Sequence, residues 1–394
     1  MFDRLPKPQP DGILAVMAAF RADPRPDKVD LGVGVYKDAA GRTPVMRAVK
    51  AAEARLVAEQ DTKTYTQLTG DPAFHTAMAG LILGDAVPPA RLAAAAATGG
   101  TGAVRLGFEL IRIANPAARL WISRPTWPNH ITIAEAVGLA WSPYRWLDAE
   151  AGSLDRAGLM ADLAQAQAGD VVVLHGCCHN PTGVDMAPSD WAAVADLCES
   201  RGLVPMVDIA YQGFGAGLEP DAAGLRLLVA RLPRVIVAAS GAKNFGLYRE
   251  RVGIAFVIAP EAERDTVQAT LAALNRATIS FPPDHGARVV TTILTDPALR
   301  ADWAAELEAM RARIEGLRRL LADALRELTG SDRMSFVAAQ RGMFSTLPLR
   351  PDQVARLARE HGVYAVGGGR VNMAGLTEAN VPVVARALAA VLRA

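Results

Sequence analysis

The segment Ser240-Gly-Ala-Lys243-Asn-Phe-Gly-Leu-Tyr-Arg-Glu-Arg251 places an amine just after an apolar run, residues 235–239, that reads as a strand. A lysine at the carboxyl end of a parallel strand stands where α/β folds bind ligands. The bland alternative is a solvated loop cation. A nucleotide-binding Walker loop is excluded, because the glycine spacing and the Gly-Lys-Ser/Thr ending are both missing. Asp208 closes a second apolar run, 204–208, and Ile-Ala-Tyr211 follows it. An acid there suits a metal, a ribose or a protonated ring nitrogen, or else a helix cap or loop ion pair. The third segment is His175-Gly-Cys177-Cys178-His179-Asn180-Pro-Thr-Gly183, again directly after a strand-like run. It lacks zinc-site spacing and no second Cys/His cluster is visible, so no metal is expected. Asn-Pro-Thr-Gly reads as a rigid turn that aims Asn180.

Two further segments complete the set. Ala97-Thr-Gly99-Gly100-Thr101-Gly102-Ala-Val-Arg105 runs into an apolar helical pattern. Glycines and a threonine at a helix N-terminus offer backbone N–H groups and the helix dipole to an anion. Arg105 occupies the place of the third glycine of a dinucleotide fingerprint, which disfavours that reading; a plain glycine-rich turn is the alternative. Trp127-Pro-Asn-His130 follows the run 119–123, and its indole either stacks on a ring or packs in the core. An anion cradle, an arginine, an aromatic stacker, an acid and a strand-end lysine together suit an aromatic phosphate carrying an aldehyde. Pyridoxal phosphate needs these groups: a lysine for the imine and an acid to keep its ring nitrogen protonated.

These residues need a scaffold that presents strand ends side by side. Strand-like runs at 119–123, 171–174, 204–208, 235–239 and 254–258 alternate with helical stretches such as 189–201 and 221–231. Near-continuous apolar strands alternating with helices predict a mostly parallel sheet covered on both faces. The alanine-rich run 92–97 reads as low complexity or as helix-forming. Residues 296–328 form a long amphipathic helix: Asp296-Pro297 supplies the start, Trp303, Leu307, Met310, Ile314, Leu317, Leu321 and Leu328 the apolar stripe, and Gly330 the end. Its length of about 45–50 Å exceeds one sheet layer, so it is expected to bridge two domains. Strand-like pieces at 336–338 and 343–347 and helices at 351–361 and 378–393 then suggest a small α+β domain, completed by N-terminal residues.

Composition narrows the class. The 394 residues are 51% hydrophobic and 21% charged, enough for substantial cores. Lys plus Arg number 42 and Asp plus Glu 41, and this balance argues against nucleic acid as the main partner. Three cysteines exclude a disulfide framework and fit a reducing compartment. The opening MFDRLPKPQP lacks the apolar core of a signal peptide, and no stretch approaches the roughly 20 apolar residues of a membrane helix. A cytoplasmic protein without membrane partners is expected.

In order along the chain, Leu31-Gly-Val-Gly-Val-Tyr-Lys-Asp, Gly99-Gly-Thr-Gly, Trp127-Pro-Asn-His, His175-Gly-Cys-Cys-His-Asn-Pro-Thr-Gly, Asp208-Ile-Ala-Tyr-Gln-Gly-Phe, Lys243-Asn-Phe-Gly-Leu-Tyr and Gly369-Arg-Val-Asn resemble the motifs of class I aminotransferases, aspartate and aromatic branch. The resemblance implies the fold-type I α/β architecture: a large domain with a mostly parallel seven-stranded sheet and a smaller α+β domain from both termini. It implies an arm at 1–11, a first part of the small domain at 12–43, the large cofactor domain at 44–309 and the rest of the small domain at 310–394. It implies pyridoxal 5'-phosphate as cofactor, with Lys243 forming the imine and later acting as general base. Asp208 would pair with the ring nitrogen, and Asn180 and Tyr211 with the ring's 3′ oxygen. Trp127 would stack on the ring. Gly100, Thr101, Ser240 and Arg251 would hold the phosphate, joined by Tyr65 from the second subunit of a homodimer. His130 and His175 would support the acid. Arg370, with Gly34 beside it, would clamp the substrate α-carboxylate, near Trp127 and Asn180, and Arg276 would reach across the dimer to a distal carboxylate.

Two departures stand out. Phe281 precedes the Pro-Pro pair where aspartate-type sequences usually have Asn, and the surrounding pattern looks more like bacterial aromatic aminotransferases. Ala242 stands where the family usually has Ser, which removes one phosphate donor and predicts looser cofactor binding. The expected reaction moves amino groups from Tyr, Phe and Trp, and from Asp or Glu, to 2-oxoglutarate by a ping-pong cycle. A strict aspartate aminotransferase is the nearest rival; a non-enzymatic pyridoxal-phosphate sensor is the rival of another class.

Overall fold

A computed structural model of the chain describes residues 2–5 and 12–393. Most of the arm expected at 1–11, namely residues 1 and 6–11, lies outside the described residues. The chain forms two compact units: residues 44–313, and residues 1–43 together with 314–394.

The larger unit is built on seven strands: β1 Leu92–Thr98, β2 Arg119–Arg124, β3 Ala140–Arg145, β4 Val171–His175, β5 Val204–Ile209, β6 Val235–Ser240 and β7 Val252–Ile258. Their spatial order is β1-β7-β6-β5-β4-β2-β3. All neighbours pair in parallel except β7, which is antiparallel to both β1 and β6. Every residue of β4, β6 and β7 is buried, as expected of strands covered on both faces. Four helices matter below: α1 Gly99–Ala114, α2 Pro128–Val137, α3 Glu261–Thr278 and α4 Pro297–Thr329.

Register brings the chemistry-bearing residues together. His175 at the end of β4 lies opposite Asp208 on β5. Asp208 in turn lies opposite Ala238 on β6, two residues before Ser240. Because β7 runs backwards, its first residues sit beside the ends of its neighbours: Val252 opposite Thr98, and Gly253 opposite Ser240. The carboxyl ends of β1, β4, β5 and β6 and the start of β7 therefore share one edge of the sheet.

Three readings of the sequence need correction. The alanine-rich run is strand β1, not helix. It pairs along its length with β7, and the Gln268 side chain of α3 exchanges two hydrogen bonds with Ala94 on its open edge, at 2.9 Å each. Small side chains let helices close over it, so pairing overrides helix propensity. Edge strand β3 has no counterpart in the sequence reading, because it is only partly buried and contains Pro143, which an edge strand tolerates. The piece at 336–338 is a short helix, Phe336–Ala339, since one apolar turn has no periodicity to separate it from a strand.

Helix α4 matches its sequence signature. Asp296 Oδ1 accepts the backbone N–H groups of Ala298 and Leu299 at 2.9 and 3.0 Å, and Gly330 ends the helix at φ 65°. At 1.5 Å per residue its 33 residues span about 50 Å. Residues to 313 belong to one unit and those from 314 to the other.

In the smaller unit, Phe344–Thr346 pairs antiparallel with Arg370–Asn372, and Val29–Asp30 pairs in parallel with Val363–Tyr364. The buried Arg318 guanidinium donates to the carbonyls of Val337, Arg341, Gly342 and Phe344 and to the Ser345 hydroxyl, which fixes the approach to the first of these strands.

Candidate active site

A cleft opens at the shared sheet edge. Its lining includes Gly100, Thr101, Trp127, His175, Asn180, Asp208, Tyr211, Ser240, Lys243 and Arg251. The structure thus brings together all of the expected cofactor residues except Tyr65.

At the floor, one Asp208 oxygen, Oδ2, lies 3.0 Å from His130 Nε2, while Oδ1 is buried without a partner. Behind His130 runs a chain of polar groups. The backbone N–H of Asn180 donates to His175 Nδ1 at 3.4 Å. His175 Nε2 faces the Thr126 hydroxyl at 3.4 Å, and that hydroxyl faces His130 Nδ1 at 3.0 Å. Since Nδ1 of His175 accepts, its proton sits on Nε2, and every bond then points from Asn180 toward the carboxylate. Burial, reinforced by His179 and His130, holds His175 well below the ordinary histidine range, so it is neutral. Burial alone would raise the Asp208 pKa. The His130 hydrogen bond, helped by the Lys243 charge, overcomes that and holds it below the usual carboxylate range. Asp208 is an anion that lines the cleft, with one carboxylate oxygen left unpartnered.

Lys243 follows β6 by three residues, in the turn after Ser240. Its Nζ lies 5.0 Å from the centre of the Tyr211 ring. Burial, with help from the Arg251 charge, lowers its pKa against the pull of Asp208. Asn180 is buried, and its Oδ1 has no partner. Trp127 is the residue before α2; its ring meets His130 edge-on, with centroids 5.2 Å apart.

Gly100 and Thr101 from the start of α1, with Ser240 and Arg251, also line the cleft. Helix α1 starts at Gly99 with no side chain capping it. A Cβ on Gly99, whose φ is 70°, would fall 2.5 Å from the Arg251 guanidinium, and one on Gly100 would fall 3.1 Å from Ser240 Cβ, so the glycines leave room for these groups to converge. The Gly99 N–H donates to the Arg251 carbonyl at 2.7 Å. Ala242 lines the cleft and adds no hydroxyl; its N–H donates to Ser240 Oγ at 3.2 Å.

Tyr65 and Arg276 do not line this cleft. Tyr65 is 79% exposed and stacks on Phe281, with ring centroids 4.6 Å apart. Arg276, on the last turn of α3, is exposed and donates to Ser280 Oγ at 2.7 Å. Gly34 and Arg370 belong to the smaller unit. There the buried Arg370 donates to the Gly32 carbonyl at 2.7 Å, and its guanidinium lies 4.7 Å from the centre of the Phe344 ring. A Cβ on Gly34 would fall 2.9 Å from that same ring. Asn372 donates to the carbonyls of Val33 and Val35, gripping the chain on either side of Gly34. Sequence reasoning assigned no role to Thr126, Phe344 or Asn372. Asn372 lies within a quoted motif and had a signal; the other two had none.

The class I and II aminotransferase profile matches residues 26–388. The chain belongs to the class I and II aminotransferase family. Among relatives of this aminotransferase, the aromatic-amino-acid aminotransferase of Paracoccus denitrificans is 54% identical over 97% of this chain and 98% of its own. The aspartate aminotransferase of Salmonella typhi is 45% identical over the full length of both. Among solved structures, an aromatic-amino-acid aminotransferase of Burkholderia pseudomallei, covalently bound to pyridoxal phosphate, superposes with a TM-score of 0.96 at 42% identity, over 100% of this chain and 99% of that one. The aminotransferase is an enzyme acting on amino acids and 2-oxo acids, and no helix among its described residues is long and apolar enough to cross a membrane.

Proposed function

We propose that this aminotransferase uses pyridoxal 5'-phosphate to move amino groups from Tyr, Phe and Trp, and from Asp or Glu, to 2-oxoglutarate. The observation that carries this reading is the pair of buried, unpartnered oxygens, Asp208 Oδ1 and Asn180 Oδ1, in a cleft that also holds Lys243 and an uncapped helix N-terminus. Orphaned buried groups are rare and costly: Asp208 Oδ1 fits a protonated ring nitrogen, and the Asn180 amide, turned to present its N–H, fits a ring oxygen. The cradle of Gly100, Thr101, Ser240 and Arg251 fits its phosphate.

When bound, pyridoxal phosphate supplies a carbonyl that takes up the amino group and a ring that accepts the electron pair released at Cα. Asp208 Oδ1 would hold the ring nitrogen's proton through a charge-assisted hydrogen bond, and the chain through His130, Thr126 and His175 fixes that carboxylate in place. Lys243 Nζ accepts the proton from the substrate Cα; its lowered pKa favours the neutral form this needs. Trp127 would cover the ring face, and Asn180 and Tyr211 would hold the ring oxygen.

Arg370 serves as the fork for the α-carboxylate, with Phe344 behind its guanidinium and Gly34 beside it. Tyr65 and Arg276 act in the site of a second copy of the chain, the first on the phosphate and the second on a distal carboxylate. Their exposure, and their place outside the cleft of their own chain, support that assignment and a homodimer. Three free, buried cysteines support work in the reducing cytoplasm. Phe281 and the aromatic relatives favour aromatic substrates over a strict aspartate enzyme. Measuring kcat/KM for phenylalanine and aspartate with 2-oxoglutarate tests this: both amino acids should turn over, and negligible turnover of phenylalanine would leave the aspartate reading.

A further inference from the structure

Cys177 and Cys178 have no part in the chemistry above, yet Cys177 lines the cofactor cleft. In extended backbone, consecutive side chains point to opposite sides. Here Cys178 has φ 51°, and that left-handed turn swings the two thiols to the same side. The two Sγ atoms and an Asp221 carboxylate oxygen all lie within 4.8 Å of one another. The turn is held rigidly: the Asp185 carboxylate accepts the N–H groups of Cys178 and His179 at 2.9 and 3.0 Å. Cys178 Sγ sits 3.9 Å from the carbonyl of Tyr211, a cleft residue.

We propose that Cys177 and Cys178 form a preassembled dithiol site for trivalent organoarsenic compounds, reached through the cofactor cleft. The reaction balances without a redox partner. An arsonous acid, R–As(OH)₂, loses two As–O bonds and gains two As–S bonds. The two thiol protons leave with the hydroxyls as two waters, and arsenic stays trivalent. The product is neutral, which suits a buried position.

A divalent cation suits it less well. It would need two buried thiolates, and the mutual hydrogen bond and burial both hold the Cys177 thiol well above its ordinary range. Its third ligand would be Asp221, whose carboxylate already accepts the N–H groups of Gly213, Gly215 and Ala216.

The test exposes the full-length protein to phenylarsine oxide, once stripped of cofactor and once loaded with pyridoxal phosphate, with loading confirmed by absorbance. Intact-mass spectrometry should find one phenylarsenic group per stripped chain and the loss of two titratable thiols. A dithiol such as 2,3-dimercaptopropanol should reverse it; an equal concentration of a monothiol should not. Uptake should vanish in Cys177→Ser and Cys178→Ser, persist in Cys198→Ser, and slow about tenfold or more in the loaded protein by competition. Failure of the folded, stripped wild-type chain to take up arsenic where the urea-unfolded chain does would overturn the proposal without any variant. So would uptake that survives in Cys178→Ser, and equal rates in stripped and loaded protein would overturn the entry route.

Discussion

At the scale of single residues, the cleft is a set of groups whose pKa values are pushed apart. Asp208 is held ionised and Lys243 is pushed toward neutrality. A lysine whose pKa is depressed on folding binds fewer protons in the folded chain than in the unfolded one, so stability rises with pH between its folded and ordinary values. Below the folded value the full penalty remains. Lys243→Met should therefore raise the melting temperature of the cofactor-free protein at neutral pH, and the gain should shrink as pH climbs toward the ordinary lysine range. Thermal melts across that range check both the sign and the trend. Ala242 bears on cofactor affinity. Ala242→Ser restores a hydroxyl beside the cradle, and a hydrogen bond to a charged group contributes about 1.5–3 kcal/mol. Dialysis followed by absorbance should show the cofactor retained about 10- to 100-fold more tightly than in the wild type.

At the scale of elements, the site depends on where α1 begins against β7. A Cβ on Gly253 would fall 2.3 Å from the backbone of Gly99, and backbone cannot swing aside as a side chain can. Gly253→Ala should displace the N-terminus of α1, cost about 1–3 kcal/mol in a denaturant titration, and weaken cofactor binding more than a core substitution remote from the cleft. Much of this arrangement is legible in the chain. Lys243, Asp208 and His175 each follow or end an apolar run, and strand ends are where such sheets hold ligands. The capping Asp296 and the terminal Gly330 mark α4 within a residue or two. Other parts are not legible, for physical reasons. The alanines of β1 carry no strand signal of their own; β7 and Gln268 make them a strand. Thr126 matters only because folding sets it between two histidines. Phe344 matters because it lies under Arg370, a contact between residues far apart in sequence.

At the scale of the whole molecule, the proposal divides each site between two chains, Lys243 from one and Arg276 and Tyr65 from its partner. Mixing two inactive variants separates this from a site made by one chain. A Lys243→Ala chain paired with an Arg276→Ala chain assembles one intact site if the arginine crosses the dimer, and none if it does not. Aspartate turnover should therefore appear when the two variants are co-refolded or co-expressed, although each alone has little. A mixture no more active than its parts would return Arg276 to its own chain. Phenylalanine, which lacks a distal carboxylate, should depend far less on the Arg276→Ala change, and the ratio of kcat/KM values for the two substrates measures that.

The chemistry of the site turns on which amine carries the cofactor. Reduction of the pyridoxal-phosphate-loaded protein with borohydride, followed by peptide mapping, tests it most directly. The cofactor should be found fixed to Lys243 and absent from that peptide in Lys243→Ala. Label on another lysine, or a Lys243→Ala protein that still transfers amino groups at the wild-type rate, would contradict it.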